Sequence, residues 1–157
     1  PKPFNGLVIN ANYARLYSTT EVFFLTSETR LIIPFPPVFE TIYTSNEREV
    51  TMPSQSPEII NLSFGYDFKG FSARVSGNFQ GTKATSYNLN KDFDSYTFEF
   101  WRWDMSVKQK LGKHWSLFLN INNFTNQQDI RYVRNISFIS SVQSYGTTGT
   151  IGAQYKL

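Results

Sequence analysis

An all-β, antiparallel fold is what this sequence predicts, on three observations. Apolar and polar residues alternate with a period of two over most of the chain. Aromatic residues make up 17% of it, with 15 Phe, 9 Tyr and 3 Trp, and such rings favour strands over helices. No segment carries the 3.6-residue apolar stripe of an amphipathic helix.

Six strands follow in order. The first sets Leu7, Ile9, Ala11 and Tyr13 against Val8, Asn10, Asn12 and Ala14, and its run extends toward Phe24. The second alternates Ile60, Leu62, Phe64, Tyr66 and Phe68 with Asn61, Ser63, Gly65 and Asp67. The third places Phe71, Ala73, Val75, Gly77 and Phe79 opposite Ser72, Arg74, Ser76, Asn78 and Gln80. The fourth sets Trp101, Trp103, Met105, Val107 and Leu111 against Arg102, Asp104, Ser106, Lys108 and Lys110. The fifth places Trp115, Leu117, Leu119 and Ile121 against Ser116, Asn120 and Asn122, with Phe118 breaking the polar side. The last runs from Tyr145 to Leu157, with Ile151, Ala153 and Tyr155 on its apolar side.

The connections carry as much information. Lys69-Gly70 and Gly112-Lys113-His114 are hairpin turns, where glycine supplies the positive φ. The connections over 23–57, 82–97 and 125–142 are long. Short and long joins therefore alternate, which puts the tight turns at one end and the long loops at the other. That is the layout of an outer-membrane barrel, and most of the strands have about the 9–11 residues a tilted membrane strand needs. The segment 25–57 holds five of the seven prolines, Pro34, Pro36, Pro37, Pro53 and Pro57, and is expected to be an unpaired surface loop.

Energetics assign the faces. A Lys or Arg facing lipid near the midplane costs roughly 2–4 kcal/mol. The fourth strand concentrates Arg102, Lys108 and Lys110 on one side, so Trp103, Met105 and Val107 must face lipid. Arg15, Arg74, Asp104, Lys108 and Lys110 are then expected to face a wet lumen. Phe68, Phe71, Trp115 and Tyr155 would form an aromatic girdle beside the short turns. Trp101 and Trp103, with Tyr13 and Tyr145, would form one toward the long loops.

Composition narrows the function. The 157 residues suit one domain, and only 17% are charged, below the usual quarter or so. No cysteine means no disulfide scaffold and no thiolate chemistry; a single histidine excludes a multi-histidine metal site. The net charge of +3 comes without a run of Lys or Arg, so nucleic acid is not an expected partner. Pro1 to Phe4 lacks the pattern of a signal peptide. The most apolar stretch, Leu31–Phe39, is broken by three prolines and is far short of the ~18 residues of a spanning helix. No catalytic residue, cofactor or metal is expected. Asp92 and Asp94 lack the Gly and Glu spacing of a calcium loop, and His114 is expected to be a solvated turn residue. The binding candidates are loop residues whose rings or amide suit a sugar or a siderophore ring: Tyr43, Tyr87, Asn88, Tyr96 and Tyr132.

From Ser54 onward the chain resembles the C-terminal part of a TonB-dependent outer-membrane receptor, particularly those of Bacteroidota. The resemblance rests on five segments. Met52 to Pro57 leading into Asn61-Leu62-Ser63-Phe64-Gly65-Tyr66-Asp67 looks like a loop entering a late barrel strand, and Phe71-Ser72-Ala73-Arg74-Val75-Ser76 like the next strand. Leu117 to Asn126 resembles the penultimate strand with its Asn-rich exit; Tyr145-Gly146 and Gly152 to Leu157 resemble the closing one. The family usually ends in an aromatic residue, whereas Leu157 is aliphatic. The resemblance implies that residues 1–157 are the last six strands of a 22-stranded barrel, with the plug domain, TonB box and earlier strands outside this chain. It further implies a multi-pass outer-membrane receptor of a Gram-negative cell. Such a receptor imports a scarce nutrient (a siderophore, haem, cobalamin, a glycan or a peptide) with energy from the TonB complex. Its partners would be outer-membrane lipid, the TonB complex acting through the plug, and a surface lipoprotein or another outer-membrane subunit. Two alternatives stay open on the residues alone: another outer-membrane barrel, of porin or secretion type, and a soluble β-sandwich such as a carbohydrate-binding module.

Overall fold

The computed structural model describes residues 5–156; Pro1–Phe4 and Leu157, including the chain-end residue of the expected closing strand, lie outside the described residues. The chain is all-β and every strand pairing is antiparallel. In chain order the strands are β1 (Leu7–Arg15), β2 (Thr19–Pro34), β3 (Pro37–Thr51), β4 (Glu58–Phe68), β5 (Phe71–Gln80) and β6 (Lys83–Ser86). They continue with β7 (Ser95–Thr97), β8 (Phe100–Leu111), β9 (Trp115–Asn122), β10 (Gln128–Val133), β11 (Ile139–Ser144) and β12 (Thr148–Tyr155).

The six expected strands form one sheet in the order β1-β4-β5-β8-β9-β12. Its register brings the apolar sides together row by row. Ile9 pairs with Phe64, Phe64 with Val75 and Val75 with Met105. Met105 then pairs with Ile121, and the adjacent row runs through Val107, Leu119 and Ile151. Because side chains alternate sides along a strand, this register leaves Asn61, Asn78, Arg102, Asp104, Lys108 and Asn120 on the opposite surface. One surface is an apolar band, interrupted on β8 by Gln109 between Phe71 and Leu117, and the other carries mainly amides, hydroxyls and charges.

Among the described residues no second layer covers either surface: the strands that touch substantially are hydrogen-bonded neighbours. Among the described residues only Ala84 is a buried hydrophobic one, while Ile151 is 83% exposed. The accessible surface is 11372 Å²; a compact chain of this mass would expose about 8,000 Å². A sandwich would have sealed Leu62, Val75, Val107 and Leu119 against a facing sheet, and each stays part-exposed.

Three glycines make the flat packing within the sheet possible, each directly opposite a large side chain that lies across it. They are Gly65 under Arg74, Gly77 under Trp103, and Gly152 under Phe118. This accounts for Phe118 on the polar side: its ring covers Gly152 rather than projecting outward. A methyl at Gly77 would sit 2.7–2.8 Å from the Trp103 ring, which itself stacks on Trp101 at 5.6 Å. Gly→Ala in a strand ordinarily gains about 0.5–1 kcal/mol. Overpacking costs about 1–3 kcal/mol, so Gly77→Ala is expected to destabilise the sheet and shift the tryptophan emission.

The long connections are not loops. Segment 25–57, expected to be an unpaired surface loop, is paired up to Thr51: Thr19–Pro34 and Pro37–Thr51 form a hairpin of two long strands, and Tyr43 lies within β3. The prolines did not prevent pairing because of where they fall. Pro34 and Pro37 close the tip, Pro36 lies in the turn, and Pro53 and Pro57 lie beyond the ladder. Thr19 to Ile33 is free of proline and rich in Thr, Phe and Ile. The connections 82–97 and 125–142 contribute a four-stranded sheet, β11-β10-β7-β6, so Tyr96 and Tyr132 are strand residues too. The first strand stops at Arg15 rather than running to Phe24, and the last begins at Thr148 rather than Tyr145. Arg15 is also corrected. It pairs with Glu58 and lies on the same side as Tyr13, whose hydroxyl donates to Glu58 at 3.3 Å.

Candidate functional site: the hairpin junction

The β2–β3 hairpin continues the β1–β4 pair beyond a break. Between the pairs Arg15↔Glu58 and Thr19↔Thr51, one side passes through Leu16–Ser18 and the other through the longer Met52–Pro57. The excess residues make an excursion. Ser54 takes a positive φ of 63°, and its N–H donates to Ala84 O at 2.7 Å, which pins the excursion to β6. The Ser18 hydroxyl donates to Gln55 Oε1. Leu16 N–H donates to Pro57 O at 2.8 Å, which resumes the ladder. Ser56 is 5% exposed, and its Oγ is buried without a hydrogen-bond partner.

Beside this break lies a cavity of about 400 Å³, with Leu16, Tyr17, Met52, Pro57, Ala84 and Tyr96 among its lining residues. That volume and apolar character suit a small ligand held by shape and a few hydroxyls.

One ion pair closes the far side of the junction. Arg48, on β3, reaches both carboxylate oxygens of Asp94 at 2.9 Å. The two side chains are 19% and 6% exposed. The guanidinium carbon is also 5.7 Å from the centre of the Phe24 ring and 5.4 Å from that of Tyr87, within cation–π range of both, while Nε is buried without a hydrogen-bond partner. Asp94 Oδ1 also accepts from Asn88 N–H at 2.8 Å. The Tyr87 hydroxyl donates to Thr51 O at 2.8 Å and lies 2.6 Å from Thr51 Oγ1. Behind it Tyr96 stacks on Tyr132 at 5.4 Å, and burial raises both phenol pKa values, so the hydroxyls stay neutral donors at ordinary pH.

Four of the five binding candidates therefore meet here: Tyr87, Asn88, Tyr96 and Tyr132. Tyr43 does not. It lies opposite Ser27, eight positions along β3 from Thr51, and is exposed. Asp94 proves to be an arginine partner, and Asp92 is 3.3 Å from Arg134. Among the charges expected on the lumen side, Arg74 binds Asp67 at 2.5 Å, and Asp104 accepts from Asn123 N–H at 2.8 Å. Lys108 and Lys110 are exposed. His114 is exposed in its turn, with Nδ1 3.0 Å from Lys156 O.

The sequence reading missed Arg48 and Asn123. Asn123, 6% exposed with φ 52°, bonds the backbone of Gln127 and Gly146 and receives Thr147 Oγ1, so it ties the exit of β9 to the start of β12. The Asn-Asn-x-Thr-Asn run was its one visible signal. Arg48 had none, because its partner lies 46 residues away.

No protein-family model matches the chain, and neither a curated protein nor a solved structure does.

Proposed function

We propose that this chain is part of the wall and mouth of an outer-membrane β-barrel, and that the barrel is a TonB-dependent receptor importing a scarce nutrient. The observation that carries the membrane reading is the in-register alignment of the apolar sides across all six strands, with nothing laid over them. The height agrees. Trp101 to Leu111 spans roughly 33 Å along β8 at about 3.3 Å per residue. A tilt of about 45° reduces this to roughly 23 Å, close to the ~25 Å apolar band of such barrels.

Both edge strands, β1 and β12, pair on one side only. In lipid those edges require partners, which the remaining strands of a larger barrel would supply. The receptor class rests on the residue resemblance over Ser54–Leu157. The hairpin and the four-stranded sheet would then form the outer mouth, with the junction cavity as the contact point for a siderophore, haem, cobalamin, glycan or peptide. TonB complex, plug and a surface lipoprotein belong to the same proposal.

This chain has no cysteine, so labels can be placed in it singly once any cysteine elsewhere in the full-length protein is replaced by serine. Single cysteines at Ser106, Val107, Lys108, Leu119 and Asn120 of the full-length protein are spin-labelled in vesicles. Val107 and Leu119 should be reached by oxygen dissolved in lipid, and the other three by a water-soluble nickel chelate. Loss of that alternation would refute the membrane reading.

A further inference from the structure

The end of the six-stranded sheet that carries the tight turns is strongly polarised in charge. Lys69, Arg74, Lys108, Lys110, Lys113 and Lys156 lie there, and Asp67 is the acidic residue among them. Six positive and one negative give +5 for this end, against +3 for the whole chain, so the remainder carries −2. Asp67 is already engaged by Arg74. The lysines are exposed.

Arg74, Lys108 and Lys110 lie on the polar surface, whereas Lys69, Lys113 and Lys156 adjoin aromatic residues. Phe68, Phe71, Trp115 and Tyr155 stand on the apolar surface at this level, all exposed. Lys69 Nζ lies 5.2 Å from the centre of the Phe68 ring. Trp115 and Tyr155 pack at 5.0 Å, flanked in sequence by Lys113 and Lys156. A ring at the edge of an apolar band with an ammonium just beyond it matches the depth profile of a bilayer, where acyl chain gives way to phosphate.

Resting on the membrane reading above, we propose that this collar, centred on Lys69, Lys113 and Lys156, binds anionic phospholipid headgroups of the periplasmic leaflet. The rings fix the depth and the ammonium groups select the charge. Each lysine near an anionic surface favours it by roughly fivefold, so three together give on the order of a hundredfold, weakened by salt.

The test uses full-length protein reconstituted in phosphatidylcholine vesicles with spin-labelled phosphatidylglycerol or phosphatidylcholine as probe. Wild type should hold the phosphatidylglycerol probe at least tenfold more strongly at low salt. The triple variant K69Q/K113Q/K156Q should insert normally and hold the two probes equally. An unchanged preference in the triple variant, or none in wild type, overturns the collar. Failure of the membrane reading looks different: a label at Val107 would then show no lipid contact in neutral vesicles, where the collar plays no part.

Discussion

Replacing Arg48 with Met should free the β2–β3 hairpin while leaving the six-stranded sheet folded. A two-stranded hairpin is marginal by itself in water. From Ser27 to Glu47 every residue of this one is exposed, and Glu21 stands directly opposite Glu49, a like-charge pairing that weakens it further. What ties it down is concentrated at its base: the Arg48–Asp94 pair, the Tyr87–Thr51 hydrogen bonds and the Ser54–Ala84 bond. Removing one partner of a buried pair costs about 3–5 kcal/mol, because the other charge is left without compensation. The Asn88 amide, which donates to the same carboxylate, and the amides at the hairpin base should then exchange with deuterium at least a hundredfold faster. The double variant Arg48→Met/Asp94→Leu should recover part of that protection, since it removes the stranded charge. Wild-type exchange at Asn88 in the single variant would mean that the latch holds nothing.

Val107→Lys should be the most damaging single change in the sheet. Val107 lies in the apolar row with Ala73 and Leu119. On the proposed membrane placement a lysine there would face lipid near the bilayer centre, at a cost of about 2–4 kcal/mol. Ser76→Lys provides the contrast. It stands on the opposite surface, directly across from Asp104, where an opposite charge is favourable by a few tenths of a kcal/mol up to about 1. Urea unfolding of protein folded into vesicles measures both. Equal costs for the two substitutions would show that the surfaces do not differ in what they touch.

The sheet was legible because period-two alternation is local, and each of its strands carries it: Ile60 to Phe68 declares its side without reference to any other strand. The hairpin was illegible for the complementary reason. Phe23 pairs with Glu47, Leu25 with Ser45 and Glu28 with Ile42, so neither face is apolar and no alternation survives. Its prolines suggested a coil, although they mark only the tip and the break. The site was half legible. Tyr87, Asn88, Tyr96 and Tyr132 stand out by chemistry, but the residue that gathers them, Arg48, is recognisable only once β3 exists. The basic collar is equally hidden, since Lys69, Lys113 and Lys156 are scattered along the chain and reach the same end of the sheet only through strand pairing.

The break between Arg15–Glu58 and Thr19–Thr51 has one more consequence. A continuous ladder would pass any slip in the hairpin straight into the six-stranded sheet. Here the unequal segments, Leu16–Ser18 and Met52–Pro57, absorb the mismatch, so pairing below starts afresh from Pro57. The hairpin is thereby free to lengthen, shorten or change its surface over evolutionary time, while the six-stranded sheet stays in step.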